Sequence, residues 1–337
     1  LSLKLGTADL AKYPFLTEAS KFLAESHLDV DEFTRPEMEY IIDRAAKKVE
    51  VEMQGKIDKN LERYEVEVLT FLGALILVKL INVEQILRRH SLFEAIRAEG
   101  FLIQDLRNER NEQKKRLLLF KIFKELFEVE VDINPENSLL FRMKITDYLT
   151  RSSHFHEDGW KIINKTLHAG YVYLDADEIV RLIRNELSNF IYEKIKAMSL
   201  SNVPEPIVRK AKSLTLKFRP FYEYNLPRIS VFPPCIKHAL EIMSKGENLP
   251  HTARLMLGTY MLSIGKSIDD IVTFFRNAPD FNENITRYQL EHLAGLKGGQ
   301  TRYYVPSCSK LNTEDLCFRT SECGEITNPL QFMCGTK

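Results

Sequence analysis

Phe232-Pro233-Pro234-Cys235 opens the stretch around which this chain is organised, and Tyr303-Tyr304-Val305-Pro306-Ser307-Cys308, Leu316-Cys317, Cys323 and Cys334 crowd its far end. All five cysteines lie within it, and none lies in the first 234 residues. The intervals run C-x72-C, C-x8-C, C-x5-C and C-x10-C. With no CxxC, the pattern argues against zinc ribbons, zinc fingers and thioredoxin-type redox chemistry, and it contains no short ferredoxin run. Spacing alone leaves metal ligation and plain burial both open. The surroundings favour ligation. Cys308, Cys317 and Cys323 sit in turn-rich sequence with little apolar burial to offer, and Cys235 stands at a helix start, where a thiolate is favoured. A loop-rich tail with four thiols needs a cross-link to be ordered.

The rest of the chain is that of an ordinary globular protein. Its 337 residues exceed one usual hydrophobic core, so two or three domains are expected. The apolar share is 44% and the charged share 28%, and 47 basic residues balance 47 acidic ones. Any nucleic-acid contact must therefore come from a local patch rather than a global field. Leu1–Leu10 shows no charged leader followed by an apolar core, so no secretory signal is expected. A reducing, cytoplasmic setting follows, in which disulfides are a poor default. The most hydrophobic run, Val68–Ile81, is shorter than the roughly 20 residues that cross a bilayer and reads as a buried helix.

The fold class expected is mainly α. Residues 1–198 read as a helical N-terminal domain with a small inserted α/β unit at about 128–198. Helices are expected over Ala8–Ala24, Asp31–Ile57 (Thr34 as cap, Pro36 in the first turn), Arg63–Ile81, Val83–His90, Ser91–Glu99 with Gly100 as a stop, and Leu117–Phe127. The charged run Arg107–Arg116 reads as a solvated face. Val129, Val131 and Ile133, and then Leu139, Phe141, Met143 and Ile145, alternate with other residues at the period of a strand. Further strands are expected within Lys165–Leu174, followed by a helix over Asp177–Lys196. Prolines at 204, 206, 220, 227, 233 and 234 argue against continuous helix, so 199–231 reads as a linker with a short helix at Pro206–Lys212. Residues 232–337 form a C-terminal domain. Its helices begin at Pro233-Pro234, at His251 and at Ser267-Ile268-Asp269-Asp270, the last with an acidic first turn.

Two constellations in that domain suit phosphates and bases. His251 and Arg254, three apart on a first helical turn, leave the same face, and a helix N-terminus with an arginine fork suits phosphate. A capping histidine and a surface ion pair would produce the same pattern. Arg287, Tyr288, His292, Lys297, Gln300, Arg302 and Tyr303 mix basic and aromatic side chains around a glycine loop, as single-strand binding requires; a solvated loop over core tyrosines is the competing structural reading. Two-metal polymerase chemistry needs closely placed carboxylates. The candidates, Asp175-Ala176-Asp177-Glu178 and Asp269-Asp270, read as helix caps instead. No Walker A, GxSxG or HExxH occurs, so no active site is expected in this chain.

Phe232-Pro-Pro-Cys235, Leu249-Pro-His251-x-x-Arg254, Tyr303-Tyr-x-Pro-Ser-Cys308, Leu316-Cys317, and Cys323 followed by Asn328-Pro329-Leu330 resemble, in that order, the large subunit of archaeal and eukaryotic DNA primase. The compact chain resembles an archaeal member. The resemblance covers the whole C-terminal domain and extends more loosely over the N-terminal two-thirds. It implies one [4Fe-4S] cluster on Cys235, Cys308, Cys317 and Cys323, the last because the family's fourth ligand closely precedes the Asn-Pro-Leu-aromatic pattern. Cys334 departs from the pattern as a fifth thiol. The resemblance further implies that His251 and Arg254 look toward the 5′-triphosphate of an initiating nucleotide or primer on a single-stranded DNA template. Nucleotidyl transfer then belongs to a separate small subunit. The expected docking surface for that subunit is the α/β unit, with Tyr148, Phe155, Tyr171 and Tyr173. An Fe–S redox protein or electron carrier, and a helical scaffold with buried cysteines, are the rival readings; iron content and activity with a primase catalytic partner separate the three.

Overall fold

Apolar residues at helical spacing dominate the sequence, and the computed structural model is mainly helical. It describes residues 5–25, 30–108, 112–126, 132–133, 141–153, 155, 158–222, 232–299 and 301–334. Two compact units divide the chain: Leu1–Asn82 with His90–Thr215, and Val83–Arg89 with Leu216–Lys337. No helix among the described residues is long and apolar enough to cross a membrane.

The helices of the N-terminal half are α1 (Thr7–Lys12), α2 (Thr17–Glu25), α3 (Glu39–Met53), α4 (Tyr64–Ile81), α5 (Glu84–Asn108) and α6 (Glu112–Leu126). Helix α4 is the core of the first unit: Val68, Leu69, Phe71 and Ala74–Val78 are buried on nearly all sides. It packs on α3 closely enough that a methyl at Gly73 would lie 3.3 Å from Ala45 Cβ. Asn82 ends it in the left-handed conformation (φ 49°) and returns its N–H to Val78.

Against that apolar core runs a buried ladder of charge. Arg44, Lys48 and Glu52, spaced four apart on α3, face Arg97, Glu94 and His90 on α5. Glu67 of α4 accepts from Arg44 Nη2 and Arg97 Nη2 at 2.6 Å each, and from the Glu62 N–H at 3.0 Å. Glu94 pairs with Lys48, and His90 Nδ1 lies 2.6 Å from Glu52. Burial alone would push the Glu94 carboxyl up, but Lys48 and Arg97 outweigh it and hold the group at about 2. The donor atoms of Glu52, His90 and Glu94 lie within 4.8 Å of one another, close enough for a metal ion. Lys48 already supplies a counter-charge there, so the group is explained as a compensated ion network. Removing one partner of such a network leaves an unpaired buried charge. Glu67→Gln is therefore expected to cost about 3–5 kcal/mol, read as a lowered denaturant midpoint with unchanged m-value.

A four-stranded antiparallel sheet follows, of order β1-β2-β4-β3, from β1 (Asp132–Ile133), β2 (Phe141–Lys144), β3 (Thr166–His168) and β4 (Tyr171–Leu174). Phe141 pairs with Leu174 and Met143 with Val172, which puts their buried side chains on one face. The short helix α7 (Ile145–Ser152) leaves β2, and α8 (Ala176–Ala197) leaves β4 through a capping box in which Asp175 accepts from the Glu178 N–H at 2.8 Å. The Asp175–Glu178 carboxylates thus cap a helix.

Three local readings need correction. Gly100 does not stop a helix: α5 runs unbroken from Glu84 to Asn108. An internal glycine costs about 1 kcal/mol, and burial of Phe101 and Leu102 directly after it offsets this. Ile145 starts α7 rather than ending a strand. The proline-containing segment holds an 18-residue helix, α9 (Glu205–Tyr222). Pro206 falls in its first turn, where no N–H partner is missing, and Pro220 stands among its last three residues, where the one bond it cannot donate is lost near the end, so the 13 residues between are free to be helical. The strand residues expected at 129 and 131 and the turn at 134–137 lie outside the described residues.

The second unit carries α10 (Pro234–Ser244), α11 (His251–Ser263), α12 (Ile268–Phe275), α13 (Glu283–Leu293) and α14 (Cys308–Thr313). Pro234 enters at the first position of α10, and Gly246 follows its end at φ +70°. Ser267 and Asp270 form a reciprocal capping box at α12. Ile236, Leu240, Met243, Leu257, Tyr260, Met261 and Ile271 make the core, with α11 at its centre.

Candidate functional site

The proline start of α10 and the chain after α13 meet at a small cavity. Cys235, Cys308, Cys317 and Cys323 all line it, with Pro233, Pro234, Leu311, Phe318, Arg319, Ile326 and Pro329 around them. Four thiols spread from position 235 to position 323 are thereby gathered at one point. Cys235 and Cys323 are buried, while Cys308 and Cys317 are half-buried, and all four are free. Cys308 is held by its N–H to the Thr327 carbonyl at 2.8 Å and begins α14, which Ser307 caps.

Burial pushes the Cys235 thiol up to about 11, and the nearby Cys308 and Cys317 add to it. Cys308 is raised too, by burial and by Cys317, with Arg319 opposing. The thiolate forms of Cys235 and Cys308 are thus disfavoured, which a bound cationic centre would reverse. Among the described residues, the one three-ligand group with all donor atoms within 4.8 Å is Glu52–His90–Glu94. No three of these sulfurs are so close. A single tetrahedral zinc at about 2.3 Å per sulfur would need them about 3.8 Å apart. Cys334 lies at the end of a 3₁₀ turn, Pro329–Cys334, and its side chain lies outside the described residues.

A second, larger cavity of about 360 Å³ opens in the same unit. His251 and Arg254 from the first turn of α11 enter it, together with Tyr288 and His292 of α13 and Tyr303 beyond it. These five sequence candidates are brought to one site. Its floor is apolar, from Leu255, Phe275, Leu290 and Leu293, with Thr286 and Gln289 beside them. Sequence reading missed these six. The signal for four of them was present, since 286, 289, 290 and 293 follow the period of one helix face. The His292 and Tyr303 rings lie 5.3 Å apart, and the Tyr303 N–H bonds to the Leu293 carbonyl at 2.9 Å. Gly298 packs on that imidazole: at φ +71°, a methyl there would meet His292 Cδ2 at 2.7 Å. Only glycine suits both the conformation and the contact.

Arg287, Lys297 and Arg302 are not among the cavity's lining residues. Lys297 stands over the Tyr288 ring at 5.6 Å and pairs with Glu291 at 2.5 Å. Arg287 pairs with Asp269 at 2.7 Å and is not a wall of the cavity. Arg302 is exposed and also outside its walls. Gln300 lies outside the described residues. Within the α/β unit, Tyr148 is fully buried and donates to the Trp160 carbonyl at 2.6 Å. Phe155 stacks on Trp160 at 4.1 Å. Both serve the packing of that unit. Tyr171 and Tyr173 are half-buried and share the face of β4 opposite Val172 and Leu174.

A mainly helical chain that ends in a four-cysteine domain with an adjoining aromatic and cationic cavity is the class so defined. Residues 227–334 match the family model for the C-terminal domain of the eukaryotic and archaeal DNA primase large subunit. The chain is 28% identical to DNA primase large subunit PriL of Methanococcoides burtonii, over 96% of this chain and 90% of that protein. It is 31% identical to the protein of that name from Thermoplasma acidophilum, over 62% of this chain and 66% of that one, and 26% identical to that of Haloarcula marismortui, over 96% and 91%. The chain belongs to the archaeal and eukaryotic DNA primase large-subunit family.

Proposed function

We propose that this chain is the regulatory, non-catalytic large subunit of an archaeal-type DNA primase, working in the cytosol in a heterodimer with a small catalytic subunit. It supports the start of RNA primer synthesis by holding the template and the 5′-triphosphate end of the first nucleotide or primer. The observation that carries this reading is the shared cavity of His251, Arg254, Tyr288, His292 and Tyr303. Its apolar floor and aromatic walls suit a base, and Arg254 at the N-terminal turn of α11 suits a phosphate. Arg287, Lys297, Gln300 and Arg302 extend the surface for the strand. Arg254→Ala is expected to weaken binding of a 5′-triphosphate primer–template about tenfold or more, leaving a 5′-hydroxyl duplex little changed; equal loss for both would remove the phosphate assignment.

Cys235, Cys308, Cys317 and Cys323 are proposed to hold one [4Fe-4S] cluster. Bound there, it would supply a cross-link from the start of the C-terminal domain to its end, together with a redox-capable centre. The thiolates are this chain's contribution, and Arg319 beside them tempers their negative charge. Anaerobically purified protein is expected to carry about four irons per chain and to absorb broadly near 400 nm. Cys323→Ser should lose both signals and Cys334→Ser neither; the reverse would move the fourth ligand to Cys334.

The α/β unit is the proposed docking surface for the small subunit. Support comes from Ile163, which is 84% exposed, from the exposed edge strand β3, and from the outward tyrosines of β4. Tyr148 and Phe155 act beneath that face by bracing Trp160. Tyr171→Glu with Tyr173→Glu should abolish co-purification with the small subunit, and with it de novo primer synthesis by the pair, at unchanged helical content. A stoichiometric complex retained by the double variant would exclude this face.

A further inference from the structure

The cavity's arginine is already occupied. Arg254 Nη2 lies 2.7 Å from both carboxylate oxygens of Asp280 and also bonds Asn248 Oδ1, while Nε donates to the Leu249 carbonyl at 2.9 Å. Nη2 has two hydrogens for three acceptors, so the Asp280 pairing is oversubscribed and lacks the two-nitrogen fork of a strong arginine–carboxylate pair. Nη1 has no partner among the described residues. The guanidinium plane does not depend on Asp280, because Leu249 and Asn248 fix it from the residues just before α11. Asp280 itself is placed by a turn in which the Phe281 N–H bonds the Ala278 carbonyl at 3.1 Å.

We propose that Asp280 is an internal competitor for the phosphate site: it occupies Arg254 in the free protein and yields it to an incoming 5′-triphosphate. This rests on the reading of the cavity as the triphosphate site and adds its regulation. The carboxylate neutralises the one cation lining the cavity among the described residues that is fixed by backbone, so a ligand must bring more than one negative charge to displace it. A triphosphate does, whereas an internal phosphodiester, with a single charge, gains little. Asp280 therefore sets a threshold that favours chain ends over strand interiors. Carboxylates likewise hold two neighbouring cations, Asp269 on Arg287 and Glu291 on Lys297, but both cations are more exposed than Arg254 and their pairs more screened.

The test uses the full cluster-loaded chain and a fluorescent RNA primer annealed to a DNA template, carrying either a 5′-triphosphate or a 5′-hydroxyl. Asp280→Asn is expected to bind the triphosphate duplex roughly three- to tenfold more tightly, with the hydroxyl duplex little changed. Asp269→Asn removes the same charge from an exposed pair and should shift affinity by less than about twofold. In Arg254→Ala/Asp280→Asn the gain should vanish. Asp280→Ser repeats the measurement without the amide, should Asn pack badly. Unchanged or weaker triphosphate binding in the soluble Asp280 variants, with Arg254→Ala still impaired, overturns the competitor alone. Wild-type affinity in Arg254→Ala overturns the triphosphate site as well.

Discussion

One constraint shapes the C-terminal unit: four thiols spread from position 235 to position 323 must reach one cavity. Cys235 reaches it at the head of α10, which two prolines start sharply, and Cys308 reaches it at the head of α14 through the Ser307 cap and the Thr327 carbonyl. Cys235 also joins the apolar core of the unit, whereas Cys308 is only half-buried. Local backbone devices place the sulfurs, and the cavity they line offers little apolar volume of its own. The segment after α13 contributes few side chains to the core beyond Val305 and Leu311. Bonds such as the Cys308 N–H to the Thr327 carbonyl and Asn328 Nδ2 to the Val305 carbonyl hold it, and the proposed ligation would add a cross-link to them.

Much of this was legible because it was local. The Pro233-Pro234 start, the Ser267–Asp270 capping box and the helix beginning at His251 each declare themselves within four residues. The misreadings came where local signals compete with position or with tertiary burial. A proline breaks a helix interior, yet Pro206 costs no bond in a first turn and Pro220 forfeits one close to the end, and no count of prolines separates these cases. Gly100 is a stop only where nothing downstream is buried, and Phe101 and Leu102 are buried.

The electrostatics were legible only by half. The cations of the candidate site were visible from their types and spacing, whereas their carboxylate partners were not. Asp280 stands 26 positions from Arg254 and Asp269 stands 18 from Arg287, and such pairings follow no helical period. A formal net charge of zero hinted that the cations were compensated but could not say where. The buried ladder of the first unit had the same character. Arg44, Lys48 and Glu52 repeat at four, as do His90 and Glu94, yet which stripe faces which is fixed by tertiary packing and by Glu67 of α4, which takes both Arg44 and Arg97.

Compensation changes how the proposed site works. An uncompensated Arg254 beside aromatic walls would attract any phosphodiester, and a template is a long array of them. With Arg254, Arg287 and Lys297 each paired to a carboxylate, the resting field of the surface is reduced, and attraction to the cavity develops where a ligand's charge density exceeds that of the internal acid. Binding then costs the exchange of one ion pair for another instead of releasing the energy of a free cation. Affinity is moderated while the preference for a multiply charged end is kept. A protein that must hold a primer end and also release it is better served by such an exchange than by a permanently open arginine.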